Sequence, residues 1–390
     1  MRIAVIGAGI GGLSAAIGLR RVGAGVTLFE RAADLRAAGS GLSIFGNGAR
    51  ALEALGLGEQ FRAEANSAGI FVGGQRRPDG RWLSRTPQAA LSQLRVIDRQ
   101  HLHDMLQAAT AGIAVQTGVL ASADTGGTVC WTSDGIDTAE QFDLVVAADG
   151  IHSRIRQDVW GDVTPLRYAG YSAWRGITAE PVDLRGEAGE TWGHGERFGI
   201  APLADGRIYW FAVASMPAGT SFADEFAEVR RRFVHWHDPI GSIIERTRPA
   251  DVFRRDIYDL SQPLRSFVND KVVLLGDAAH AMTPDLGQGG NQAMEDAATL
   301  AALLAPLAAR PAPQPDALRH ALARYDQLRR SRTQAIARDA RRLGAFAHVK
   351  GTLGVWGRDL MMRLIPPRVM AGRLVALQDW QPPAATPWSG

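Results

Sequence analysis

The chain has 390 residues, 46% of them hydrophobic and 21% charged, which excludes collagen-like and disordered chains and points to two intertwined globular domains, or three. The formal net charge is +3 and rests almost wholly on arginine, since Lys271 and Lys350 are the only lysines. Without a clustered basic reading module, nucleic-acid binding is not expected.

Residues 2–7 form a short apolar run ending in a glycine, as a buried parallel strand does. Helical spacing over 11–22 and a second strand over 26–30 complete one βαβ unit. Residues 31–48 are glycine-rich and aperiodic, so a loop is expected there, entering a helix over 48–55. Alternation over 69–95 predicts antiparallel hairpin strands. A helix over 99–109 and a buried strand over 142–148 follow. From about 168 to 262 the texture is antiparallel, with strands over 171–178, 198–202 and 207–213 and helical spacing around 222–237. A fourth buried strand over 271–275 leads through a glycine loop into a helix over 291–304. Residues 310–315 read as a surface connection before a charged helix over 316–346, and the arginines between 324 and 342 as its wet faces. The tail beyond Lys350 carries weak amphipathic patterning and reads as packing, with a proline-rich end.

The expected fold is α/β: a Rossmann-like nucleotide-binding domain (1–69, 96–165 and 266–345), an interleaved, mostly antiparallel β-sheet substrate domain (70–95 and 166–265), and a C-terminal helical tail over 346–390. No run approaches the ~18 apolar residues of a membrane span. The N-terminus lacks signal-peptide character, so a cytoplasmic monomer or homodimer is expected. Cys130 is the single cysteine, which rules out an internal disulfide and a multi-cysteine metal site. No histidine cluster carries metal spacing, so no metal is expected. Of the ten tryptophans, most should be core, some lining an aromatic pocket.

Gly7-Ala-Gly9-Ile-Gly11-Gly12 fits G-x-G-x-x-G between a strand and a helix. Gly7 permits the turn, Gly9 lets backbone approach a pyrophosphate, and Gly12 lets the helix lie close on the sheet. Glu30 closes the second strand, where its carboxylate can accept from ribose hydroxyls. The pattern alone leaves NAD and FAD both open. Two distant segments decide it: Asp149-Gly150-Ile-His-Ser153-Arg-Ile-Arg156 and Gly276-Asp277-Ala-Ala-His280, the latter followed by Pro284-Asp-Leu-Gly287-Gln-Gly289-Gly290-Asn291. With these in order, the sequence resembles the para-hydroxybenzoate hydroxylase family of FAD-dependent aromatic monooxygenases over roughly residues 1–300.

The resemblance implies a resident FAD, a transient NADH or NADPH donor and O2 as co-substrate, with a small aromatic or heteroaromatic substrate hydroxylated through a C4a-hydroperoxyflavin. It implies that Asp277 holds a ribityl hydroxyl and that backbone N–H groups at Gly287, Gly289, Gly290 and Asn291 face the flavin N1 and C2=O. It further implies that Arg99 reaches the FAD and that Asp149 serves both nucleotides; Ser153 and Arg156 fit equally well as a helix cap and brace. No second G-x-G-x-x-G follows a strand and no C-x-x-C occurs, which argues against a disulfide reductase. Arg197 and Tyr209, with Arg175 and His194 behind them, resemble the family branch that hydroxylates urate, where an arginine and a tyrosine contact the substrate. An ordinary cross-strand pair is the alternative for these two. A flavin oxidoreductase without oxygen insertion and a non-enzymatic flavin-binding module remain as rival functions.

Overall fold

The computed structural model describes residues 1–35, 40–67, 71–133, 135–161, 164–309 and 314–384. The junction placed at 69/70, most of the connection at 310–315 and the end of the proline-rich tail lie outside the described residues.

Apolar β-branched runs form the centre of a six-stranded sheet. In spatial order it holds Val268–Asn269, Val272–Leu274, Leu144–Ala147, Arg2–Ile6, Gly25–Phe29 and Ala114–Gln116. All neighbours are parallel except the first pair. The middle strands are buried on both faces. The helices Ile10–Arg21 and Gly289–Ala308, packed against each other, cover one side, and the hairpin strand Thr128–Ser133 brings Trp131 onto Phe29 with ring centroids 4.9 Å apart. That is a mostly parallel, Rossmann-like sheet, as expected.

A second sheet of seven strands runs Phe253–Leu260, Leu166–Ile177, Ile208–Ser215, Glu196–Pro202, Gly189–Trp192, Gly73–Arg76 and Trp82–Thr86. Its pairs are antiparallel apart from Gly189–Trp192 with Gly73–Arg76. Strand alternation gives it two unlike faces. One carries Trp174, Phe198 and Trp210, buried against Phe233, Trp236, Ile240 and Ile244. The other carries Tyr171, Ala173, Arg197, Tyr209, Phe211 and Val213 and turns toward the nucleotide sheet.

Several expectations need correction. The stretch read as loop over 31–48 contains the strand Gly41–Ile44, which pairs with Arg95–Asp98, and the helix after it is Gly46–Ala54. The hairpin Thr128–Ser133 with Ile136–Gln141 and the helix Gly58–Glu64 had no clear period in sequence. His235 and His237 lie beyond the end of the helix Glu225–Phe233, not on it. The helix Pro315–Ala347 is not wet throughout its arginine run. Arg329 is 1% exposed and pairs with Glu295 and Asp296, also buried; His280 donates to Asp296 at 2.6 Å. Burial raises these carboxyl pKa values, but Arg329 with Arg332 holds Glu295 low, and His280 with Arg329 holds Asp296 low.

Candidate functional site

The strands Arg2–Ile6, Leu144–Ala147 and Val272–Leu274 are near neighbours running the same way, so the turns that follow them open at one edge of the sheet. Gly7 has φ +105°, and a Cβ there would lie 2.4 Å from the Ala148 carbonyl oxygen. A Cβ at Gly12 would lie 1.8 Å from the Gly7 carbonyl, so the glycines are sterically required. Gly9 is exposed with nothing within 4 Å of its Cβ position, which leaves its backbone open to the groove. The first helical bond is Leu13 N to Gly9 O at 2.9 Å, so the N–H groups of Ile10, Gly11 and Gly12 have no intrahelical partner. Glu30, at the end of the second strand, accepts from Ala8 N at 2.7 Å and Ala32 N at 2.9 Å, pinning the glycine turn, and its carboxylate keeps lone pairs for a ribose.

Asp277 is exposed although the residues on either side of it are buried, because its side chain points out of the strand end into the groove. Its Oδ1 lies 3.8 Å from the Cβ position of Gly289, which brings it beside the helix Gly289–Ala308. There the first intrahelical bond is Gln292 N to Gln288 O, leaving the N–H groups of Gly289, Gly290 and Asn291 as first-turn donors with no side-chain cap. Gly287 occupies the left-handed region at φ +63°, turning the chain into that helix. The Asn291 side chain is fully used by protein. It accepts from Phe45 N and donates to the carbonyls of Ser43 and Gly287, so only its backbone faces outward.

Arg99 opens the helix Arg99–Ala109 capped by Asp98, and its own N–H donates to Ser40 O at 2.7 Å. Its guanidinium keeps solvent contact inside a concave groove. The surrounding protein lowers its pKa and Arg175 lowers it further, while Asp277 and Tyr209 oppose them. Asp149 accepts from Ile155 N at 3.2 Å with Oδ2, and its Oδ1 is buried without a hydrogen-bond partner among the described residues. Ser153 caps the helix Arg154–Trp160, and Arg156 donates to the carbonyls of Ala278 and Ile151. Those two residues are a cap and a brace.

An open glycine backbone, two unpaired helix N-termini, an outward carboxylate at Asp277 and an orphaned oxygen at Asp149 thus line one groove. Anionic pyrophosphate, ribose and ribityl hydroxyls, and an electron-rich ring edge match these donors and acceptors in kind, so the residues fit FAD.

Arg197 and Tyr209 share the inward face of the second sheet but are not a cross-strand pair. Arg197 opposes Val213, and Tyr209 stands four residues further along the same strand, roughly 13 Å away. Tyr209 packs on Gly41, where a Cβ would lie 2.2 Å from the ring, and so sits near Arg99, as Arg175 and Asp277 do. Arg197 belongs to another cluster. Its Nη2 donates to Asp285 Oδ1 at 2.7 Å, and Glu190 lies 3.5 Å from Nη1. Tyr171 donates to the other Asp285 oxygen at 2.6 Å. His348 stacks on Tyr171 with centroids 4.1 Å apart.

Burial lowers the Arg197 pKa, but Glu190 and Asp285 outweigh it and keep the guanidinium charged. Burial and the adjacent Asp285 push the Tyr171 phenol up. Burial, followed by the Arg197 charge, pushes His348 down to about 3. Among the described residues, Arg197 Nε and Nη1 and His348 Nε2 are buried atoms without hydrogen-bond partners, Nη1 having only the ion pair with Glu190. Two donors and a neutral imidazole nitrogen therefore remain for a ligand. His194 is exposed in a turn, bonded to the Lys350 carbonyl, and is not part of this cluster.

Sequence reasoning missed Asp285, Tyr171 and His348 as site residues. A signal existed for Asp285, a carboxylate directly ahead of the glycine turn; none existed for His348, which comes from the far end of the helix Pro315–Ala347.

The family described as FAD binding domain matches residues 1–340. The chain is 35% identical over 375 residues to the aurachin C monooxygenase/isomerase of Stigmatella aurantiaca, covering 94% of each chain. It is 32% identical over 386 residues to the 2-heptyl-3-hydroxy-4(1H)-quinolone synthase of Pseudomonas aeruginosa, again covering 94% of each. The structure of Klebsiella pneumoniae HpxO complexed with FAD and uric acid superposes with a TM-score of 0.85 at 27% identity, covering 97% of this chain and 96% of that one.

Proposed function

The chain belongs to the FAD binding domain family and is an FAD-dependent hydroxylase, and from that premise we propose that it uses NAD(P)H and O2 to hydroxylate a nitrogen-containing heteroaromatic ring with an apolar flank. The observation that carries this reading is the buried Arg197–Asp285–Tyr171–His348 cluster beside the flavin-facing turn. Asp277, Asp149, Glu30 and Arg99 would hold the dinucleotide together with the open backbone at Gly7, Gly9, Gly12, Gly287, Gly289, Gly290 and Asn291. Bound FAD supplies two-electron redox chemistry and the activation of O2.

The chain's own residues position the ring and manage its protons. Arg197 keeps its charge and has two donor atoms, Nε and the Glu190-paired Nη1, that make no hydrogen bond among the described residues, suited to a ring oxygen or nitrogen that becomes anionic as the ring is made electron-rich. Neutral His348 offers Nε2 to a ring N–H or phenolic O–H. Asp285 fixes the Arg197 fork and accepts from Tyr171. Tyr209, held on Gly41, closes the flavin end.

The wall between the two poles is Ala173, Phe211 and Val213. Such a surface suits an apolar flank better than the all-polar perimeter of urate, and two relatives with quinolone-type or aurachin names point the same way. A screen of quinolones, hydroxybenzoates and urate for stimulated NAD(P)H oxidation, with products checked by mass, tests the reading. A quinolone-type ring should give coupled hydroxylation. Coupled turnover of urate with none of quinolones would replace the substrate class.

A further inference from the structure

We propose that the C-terminal helix Thr352–Leu364 docks on an anionic phospholipid bilayer. The sequence suggested that this tail serves only for packing, and one face does. Val355 and Met362 are buried, and Arg358 donates to the carbonyls of Gly193 and Ala347. The opposite face is apolar and open: Leu353 is 86% exposed, Trp356 67% and Leu364 71%, with Leu360 between them. Their spacing of three, four and four residues places them in one stripe along the helix. A large exposed apolar stripe on an anchored helix marks a contact surface, and a tryptophan in it suits the boundary between water and lipid.

Charge decides the occupant. Between residues 350 and 378 the only acid is Asp359, which is buried against Arg358 and Arg77. Lys350, Arg363, Arg368 and Arg373 are exposed and take part in no ion pair among the described residues. A segment that carries an apolar stripe and whose exposed charges are all cations complements an anionic lipid surface. A two-fold contact of this segment with itself would set these cations against one another. The inference does not depend on the proposed reaction, since vesicle binding is read without substrate.

The test is co-sedimentation of the flavin-loaded full chain with vesicles of phosphatidylcholine, and of phosphatidylcholine mixed with phosphatidylglycerol. Binding to the mixed vesicles should be at least roughly tenfold stronger and should fall as salt rises. The variant W356S/L360S/L364S should lose about tenfold or more of that binding, and R363E/R368E/R373E should lose the preference for phosphatidylglycerol. Both variants should keep the parent's flavin content, because the substituted side chains are solvent-exposed. No sedimentation with mixed vesicles, or sedimentation unchanged in W356S/L360S/L364S, would overturn the proposal. So would a dimer in light scattering that this triple variant abolishes, since a second copy would then own the stripe.

Discussion

Asp285 joins the two layers of the protein through Arg197: the Nη2–Oδ1 contact of 2.7 Å links a buried strand of the second sheet to the turn that leads into the helix Gly289–Ala308. Tyr171 occupies the other carboxylate oxygen, so both acceptors are committed. Removing one charge of such a pair leaves the other buried and poorly compensated. Asp285→Asn should lose about 2–4 kcal/mol in denaturant unfolding, with Glu190 at 3.5 Å softening the loss. Its hydroxylated product per NAD(P)H should fall roughly tenfold while FAD stays bound. Full coupling in Asp285→Asn would remove the cluster from the substrate site.

Gly344 in the helix Pro315–Ala347 supports the same carboxylate. A Cβ there would lie 2.6 Å from Asp285 Oδ2, and Asp285 cannot yield because Arg197 and Tyr171 hold it. Gly344→Ala would gain about 1 kcal/mol in helix propensity, yet overpacking of about 1–3 kcal/mol should prevail. Net destabilisation with reduced coupling is expected in thermal unfolding and product assays. A more stable, fully coupled variant would show that the carboxylate moves freely.

His348 sets a pH dependence. Its folded pKa is about 3, below the ordinary ~6.5, because burial and then Arg197 disfavour the imidazolium. Between those values the unfolded chain binds a proton that the folded one refuses, so its contribution to stability falls as pH drops from about 6.5 toward 3. His348→Gln should flatten this part of the profile by roughly 1–3 kcal/mol, measured by urea unfolding at several pH values. An unchanged slope would mean that the imidazole titrates normally in the fold.

Asp277 and Ser153 separate binding from capping. Asp277→Ala should weaken FAD at least roughly tenfold, read from flavin content and fluorescence titration, because its exposed carboxylate makes no protein hydrogen bond to lose among the described residues. Ser153→Ala should cost about 1 kcal/mol of stability, since its hydroxyl caps Arg156 N, and should leave flavin affinity nearly unchanged. The reverse pattern would exchange their roles.

The nucleotide half was legible because its signals are local. Strand, glycine turn and helix follow one another within residues 2–21, and buried runs at 144–147 and 272–274 announce themselves by composition. The strand Gly41–Ile44 was not, because its partner Arg95–Asp98 is distant in sequence and Gly41 is shaped by the Tyr209 ring. Arg329 looked like one more surface arginine, and only the tertiary meeting with Glu295 and Asp296 buries it. At the site, Arg197 and Tyr209 were singled out, but strand register, invisible in sequence, puts them at opposite ends of one face and gives Arg197 the companions Asp285, Tyr171 and His348.

Turnover of a quinolone-type substrate under isotopically labelled dioxygen, with FAD bound and NAD(P)H supplied, tests the central claim most directly. One labelled oxygen atom in each product molecule, formed as one NAD(P)H is consumed, is the predicted result. Product that carries oxygen from water, or that forms equally well without dioxygen, would contradict it.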